Sequence, residues 1–170
     1  MSIEKDIIIR DATIKDLEAI VGIYNSTVPG RMVTADTEPV TVESREKWFY
    51  EHNSDFRPLW VVEKDEKICA WLSFQSFYGR PAYNGTVEVS IYVSEICRGK
   101  GLGRILLQKA IDACEDFKIK TILGFVFGHN VPSLKLFESF GFEAWGNFPK
   151  IAELDGVERD LIIVGKRVKA

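Results

Sequence analysis

Two patterns of apolar positions alternate along the chain: short β-branched or alternating runs, and segments with helical spacing. Ile7-Ile8-Ile9 predicts a first strand. Thr13 then stands where an N-cap belongs, with Asp16 three residues on in a capping-box position. Ile14, Leu17, Ile20, Val21 and Tyr24 recur at helical spacing, and Val28-Pro29-Gly30 ends that helix. The polar run Thr34-Ala35-Asp36-Thr37-Glu38-Pro39 predicts a loop, and residues 41–52 a second helix with Trp48 and Phe49 on its apolar side. Residues 59–63 and 68–74 flank a charged turn and predict a hairpin. Residues 86–93 alternate, with Val87, Val89, Ile91 and Val93 on one side and Thr86, Glu88, Ser90 and Tyr92 on the other. Residues 102–117 predict an amphipathic helix whose core positions are Leu102, Ile105, Leu106, Ala110 and Ala113. A strand at 121–127 follows, then a helix with Pro132 in its first turn that stops at Gly141. Residues 142–148 and 161–168 predict closing strands around a turn at Leu154-Asp155-Gly156-Val157. The order predicts an α/β sheet with both parallel and antiparallel neighbours.

Composition narrows the class without naming a chemistry. The 170 residues are 46% hydrophobic and 28% charged, which predicts one domain spanning 1–170. A net charge of −3 argues against a large basic footprint for nucleic acid. No run approaches the ~18 apolar residues of a membrane span, and the charged start Met1-Ser2-Ile3-Glu4-Lys5-Asp6 lacks the apolar stretch of a signal peptide. Cys69, Cys97 and Cys114 form no CxxC, and His52 and His129 are the only histidines, so no metal site is expected. A cytoplasmic location is the expectation.

The chemistry concentrates after the strand at 86–93, in Arg98-Gly99-Lys100-Gly101-Leu102-Gly103. Three glycines in five residues leave backbone N–H groups unshielded. The loop opens into a helix N-terminus, which attracts an anion, and Arg98, Lys100 and Arg104 add positive charge. These features predict a diphosphate cradle. No Gly-Lys-Ser/Thr follows, and the glycines read GxGxG rather than GxGxxG, so neither familiar nucleotide loop fits.

That segment has the R/Q-x-x-G-x-G/A form of motif A in the GNAT superfamily of N-acetyltransferases. Asn130-Val131-Pro132-Ser133-Leu134-Lys135-Leu136-Phe137-Glu138-Ser139-Phe140-Gly141-Phe142 resembles the superfamily's N-x-x-S-x-x-L-[YFH]-E-x-x-G-F segment. The block from Phe77 to Val93 is similar to the F-R-x-R-x-A-Y-x-x-T-V-E-x-S-[VI]-Y-V block of phosphinothricin N-acetyltransferases, and Val33-Thr34-Ala35-Asp36-Thr37-Glu38-Pro39 resembles their loop before the second helix. The resemblance implies a mixed, mostly antiparallel twisted sheet flanked by helices. It implies acetyl-CoA as co-substrate without a metal, a small amine as acceptor (phosphinothricin, methionine sulfone or methionine sulfoximine), and a homodimer. It also implies roles for residues. Glu88 would be the general base, Val93 would meet the thioester or pantetheine through its backbone N–H, and Ile91 would belong to the cofactor site. Arg98, Gly99, Lys100, Gly101, Gly103 and Arg104 would hold the diphosphate, and Asn130 and Ser133 would contact the pantetheine or phosphates. Phe77, Arg80 and Tyr83 are candidate acceptor contacts, with Trp48 and Phe74 as further pocket residues.

Two positions depart from the pattern. Phe137 stands where many of these enzymes carry a tyrosine general acid, and Tyr78 replaces the first arginine of the F-R-x-R block. Four alternatives stay open on the sequence. The acceptor could be a polyamine, an aminoglycoside or a peptide N-terminus, or the domain could bind acyl-CoA without turnover.

Overall fold

The computed structural model describes residues 6–169, so the N-terminal stretch from Met1 lies, except for Asp6, outside the described residues. Eleven elements follow in chain order: β1 (Ile8–Asp11), α1 (Leu17–Ser26), α2 (Val42–Tyr50), β2 (Leu59–Lys64), β3 (Lys67–Ser76), β4 (Thr86–Val93), α3 (Leu102–Ala113), β5 (Thr121–Phe127), α4 (Val131–Ser139), β6 (Glu143–Leu154) and β7 (Val157–Arg167). The strands form one sheet in the order β1-β2-β3-β4-β5-β7-β6. Every neighbouring pair is antiparallel except β4 and β5. The mixed sheet is the one expected.

Local chemistry sets the boundaries. The Thr13 N–H donates to the Asp16 carboxylate at 2.7 Å, closing the capping box, and a short 3-10 turn over Ile14–Asp16 leads into α1. Arg10 grips the same carboxylate with two N–H groups at 2.7 and 3.0 Å, tying α1 to the first strand. Thr41 caps α2 by accepting the Ser44 N–H. The β2–β3 turn places Asp65 and Glu66 both at positive φ, the twist a two-residue hairpin needs.

The α3 helix is shorter than its apolar pattern suggested. The Ile119 N–H reaches back to the Cys114 carbonyl at 2.8 Å while Lys118 takes a left-handed conformation, a six-to-one closure that stops the helix. The last two strands are longer than expected. Pairing continues past Pro149 because a bulge absorbs it, with Lys150 at positive φ and its N–H held by the Asp160 carboxylate at 2.9 Å.

One sheet face packs on α3 and α4 through Leu72, Phe74, Val87, Leu106, Leu107, Ile122, Phe137 and Val164. The other packs on α1 and α2 through Ile20, Ile23, Leu59, Val61 and Trp71, and the Trp71 indole N–H donates to the Ile20 carbonyl. Among the described residues, no helix is long and apolar enough to cross a membrane.

Candidate active site

The site begins where the sheet divides. The parallel pairing of β4 with β5 covers only Thr86, Val87 and Glu88, opposite Thr121, Ile122 and Leu123. Beyond that point β5 pairs with β7 alone and β4 with β3 alone. The Ser94 N–H donates to the Cys69 carbonyl at 2.8 Å, and the β3–β4 register is unbroken. Backbone groups alternate in direction along such a pair, so Ile91 and Val93 turn their N–H and C=O groups away from β3 and into the split. A cavity of about 170 Å³ occupies it, bounded by β4 from Val89 to Val93, by Phe125 and Val126, and by α4.

The split opens into a cleft of about 400 Å³ between the starts of α3 and α4. Its wall includes Ile91, Val93, Arg98, Gly99, Gly101, Gly103, Asn130 and Ser133, all expected there from the sequence. Gly99 and Gly101 have φ of +74° and +80°, and a Cβ at either would meet open space. What requires glycine at these two positions is therefore the backbone turn, not a clash. The turn delivers the N-terminus of the twelve-residue α3 to the cleft, where unpaired N–H groups and the helix dipole suit a diphosphate. Asn130 is buried and caps α4, its side-chain oxygen accepting the Ser133 N–H at 3.3 Å.

Two predicted contacts lie elsewhere. The Arg104 guanidinium donates to the Ser139 hydroxyl at 2.9 Å and sits 4.9 Å over the Phe140 ring, so the side chain joins α3 to α4. Lys100 is exposed and forms no part of the cleft wall.

The loop after α1 roofs the cleft with Thr27, Met32 and Val33. It is fastened at Arg31. Arg31 pairs with Asp155 of the β6–β7 turn at 2.9 Å and donates to the Thr37 carbonyl, while the Arg31 carbonyl meets His129 Nε2 at 2.8 Å.

Glu88 is the last paired residue of β4 before the split. Its side chain lies on the α1–α2 face with Ser90 and Tyr92, and Gln75 is its partner across β3. It is half-buried, and burial pushes its carboxyl above the ordinary carboxylate range. Among the described residues no ion pair involves it.

On the same face a pocket of about 150 Å³ is walled by Tyr24, Arg45, Trp48, Trp71, Ser90 and Tyr92, with Ser73 and Gln75 also reaching it. Ser90 and Tyr92 border this pocket and the split alike. Trp48 is where the sequence placed it. Phe74 is not: it is fully buried on the opposite face against Trp60 and Phe117. Phe77, Arg80 and Tyr83 border neither this pocket nor the cleft. Phe77 and Tyr83 form an aromatic cluster with the exposed Tyr78 in the β3–β4 loop. Sequence reasoning missed Tyr24, Arg45 and Trp71: Tyr24 and Trp71 fit the helical and strand patterns, and Arg45 is one charge among several on α2.

A glycine cradle at a helix start, beside a split parallel pair, suits a diphosphate-bearing ligand that extends into the sheet, the class of site that a coenzyme A-dependent transferase needs. Comparison with known proteins makes that class specific: residues 20–142 match the model of the acetyltransferase (GNAT) family, and the chain belongs to it. It is 56% identical over 161 residues to a Bacillus subtilis protein named "Putative phosphinothricin acetyltransferase YwnH", covering 94% of this chain and 98% of that one. It is 30% identical over 154 residues to an L-methionine sulfoximine/L-methionine sulfone acetyltransferase of Pseudomonas aeruginosa, covering 90% of each. A GNAT phosphinothricin acetyltransferase from Sinorhizobium meliloti, solved in complex with AcCoA, superposes with a TM-score of 0.89 at 25% identity over 95% of this chain and 88% of that one.

Proposed function

We propose that this acetyltransferase transfers the acetyl group of acetyl-CoA to the amine of a small amino-acid-like acceptor of the phosphinothricin, methionine sulfone or methionine sulfoximine type, with Glu88 as general base. The observation that carries the reading is the position of Glu88: it is the last β4 residue paired with β5, and its half-buried side chain, with its pKa raised by burial, lies on the face that carries Ser90 and Tyr92.

The reaction makes three demands. An ammonium has no lone pair, so the acceptor must first lose a proton; the Glu88 carboxylate takes it, directly or through one water. A raised pKa makes that carboxylate a stronger base. The freed amine attacks the thioester carbonyl carbon, and the resulting oxyanion is met by the backbone N–H groups that Ile91 and Val93 direct into the split. The attacking nitrogen sheds its second proton to water, the C–S bond breaks, and the coenzyme leaves as its thiolate. Gly99, Gly101 and Gly103 hold the diphosphate through main-chain amides, with Arg98 adding charge. Asn130 and Ser133 steady the pantetheine arm.

The reading also carries a cytoplasmic homodimer spanning residues 1–170. Exposed Trp145, Phe148, Ile151 and Val157 on the β6–β7 hairpin offer it an apolar surface, and sedimentation tests it.

Thiol release from acetyl-CoA by the purified chain, measured across amino-acid analogues, polyamines, an aminoglycoside and short peptides, tests the function. Release confined to the analogues is expected, and release with another amine alone overturns the acceptor assignment. Glu88→Gln is expected to lower turnover by roughly 10²- to 10⁴-fold with acetyl-CoA affinity unchanged. Unchanged turnover removes Glu88 from the base role.

A further inference from the structure

We propose that the pocket of about 150 Å³ between α1, α2 and the β3–β4 face takes the body of the acceptor, and that Arg45 anchors the acceptor's acidic group there, a carboxylate or phosphinate. The inference rests on the amino-acid-like acceptor argued above and names the residue that would select it.

The pocket adjoins the split, because Ser90 and Tyr92 wall both. An acceptor lodged in it therefore has its reactive end next to the place where a thioester would lie. Its walls are aromatic and aliphatic except for Ser73, Gln75, Ser90, the tyrosines and one cation, Arg45. That cation is held in place. The Asp36 carboxylate accepts from Arg45 Nη2 at 2.9 Å and also from the Tyr24 hydroxyl, and the guanidinium lies 5.1 Å from the centre of the Tyr24 ring. A guanidinium has five N–H donors. One goes to Asp36, and no other bond from Arg45 forms among the described residues. The remaining donors suit a two-oxygen anion.

The acceptor's ammonium, on the carbon beside its carboxylate, is accounted for as well. Glu88 stands on the same face of β4 as the pocket-wall residues Ser90 and Tyr92, one side-chain step before Ser90, and is the anion suited to it. Burial, chiefly, raises the pKa of the Tyr92 phenol, so this wall residue adds no charge of its own. The pocket has about the volume that holds a benzene-sized ligand, which suits a short side chain. A polyamine would set a second positive charge against Arg45. Tyr78, standing where the resembling enzymes have an arginine, costs nothing on this assignment, because Arg45 supplies the charge from another element.

The test compares an acidic acceptor, methionine sulfone, with its neutral carboxamide, using the full chain at saturating acetyl-CoA. The natural protein is expected to prefer the acid. Arg45→Gln should raise the KM for the acid roughly 10- to 100-fold, leaving kcat and the KM for the carboxamide within about twofold. Arg45→Lys should recover part of the loss, and Arg80→Gln should keep the preference. If Arg45→Gln unfolds, Gln75→Glu serves instead. It puts a negative charge on the exposed rim of the same pocket; its cross-strand neighbour Glu88 makes any change in kcat common to both acceptors, and the ratio of kcat/KM for the acid to that for the carboxamide should fall. An acid preference that survives both Arg45→Gln and Gln75→Glu, or one that Arg80→Gln abolishes, overturns the anchor and leaves the proposed function standing. A natural protein that acetylates no acidic acceptor overturns both.

Discussion

Gly124 offers a perturbation whose cost can be worked from the coordinates. It lies in β5 beneath α4, and a Cβ built on it would stand 2.9 Å from Phe137 Cζ, 3.1 Å from Phe137 Cε1 and 3.0 Å from Val164 Cγ2. The nearest approach is 0.5 Å inside ordinary contact, which begins at 3.4 Å. Phe137 cannot simply swing aside: it is buried, and its ring packs edge-on against Phe142 at 4.9 Å. Gly124→Ala should therefore cost about 1–3 kcal/mol through overpacking. At a urea slope of ~2 kcal/mol/M, that moves the unfolding midpoint down by roughly 1 M. Phe137→Leu removes the ring edge and should cost about 1 kcal/mol on its own. In the double variant the two changes relieve each other. The double should be more stable than the sum of the singles by about 1 kcal/mol, with rescue incomplete because the Val164 contact remains. Urea unfolding of the four proteins measures the cycle. Because α4 carries Asn130 and Ser133 to the cleft, the KM for acetyl-CoA should rise in Gly124→Ala and fall back in the double. Additivity to within about 0.5 kcal/mol would refute the claim that β5 has glycine here to admit the Phe137 ring.

Three further outcomes are expected. Burial raises the folded-state pKa of Glu88, so the folded protein holds that proton more tightly than the unfolded chain. Its contribution to stability is full below the unfolded value and is lost as pH rises through the folded one. Glu88→Gln should remove that slope and unfold at equal or higher urea at neutral pH, even as turnover falls. Asp16 behaves oppositely: hydrogen bonds from Arg10, chiefly, hold its carboxyl below the ordinary range against the cost of burial. Its contribution is present above the unfolded pKa and lost as pH falls through the folded one. Asp16→Asn should cost roughly 1–3 kcal/mol at neutral pH and flatten the acid side of a urea-midpoint profile. Gly101→Ala puts a side chain at φ +80° with open space around it, so strain alone should cost about 1–2 kcal/mol. The KM for acetyl-CoA, from initial rates, should rise with it.

Elements that present one clean face were legible in the sequence. The strand at 86–93 and the helix starting at Leu102 were read with the bounds the structure gives them at those ends, because alternation and helical spacing there coincide with burial. The ends that failed depend on single residues taking left-handed backbone, Lys118 after α3 and Lys150 in the β6 bulge, and lysine carries no signal for that conformation. The glycine-lined cleft proposed for the cofactor was legible for a related reason: glycines and a helix start are local and contiguous. The pocket proposed for the acceptor was not. Its wall brings together Tyr24, Arg45, Trp71 and Tyr92, which are far apart in the chain and share no local motif. The adjacent candidates in the 77–83 loop drew attention because they sit in one recognisable block, yet their aromatic rings satisfy one another.

Phe137 changes meaning once the fold is known. In the sequence it is the position where a proton donor is missing. In the structure it is the ring on which α4 is seated against a glycine of β5, at the edge of the split. The chemistry explains how a packing residue can stand there. In the tetrahedral intermediate the sulfur and the nitrogen compete to leave. A thiol with a reference pKa of ~8.5 gives a stable anion. Once the nitrogen has lost its proton, its own departure would require an amide anion, which is far more basic, so the C–S bond breaks first without assistance. The group that must be well placed is then the base that takes protons from nitrogen, not an acid that gives one to sulfur. Glu88, the last β4 residue paired with β5, carries a carboxylate whose basicity burial increases, and α4 on the other face is free to serve as wall and support.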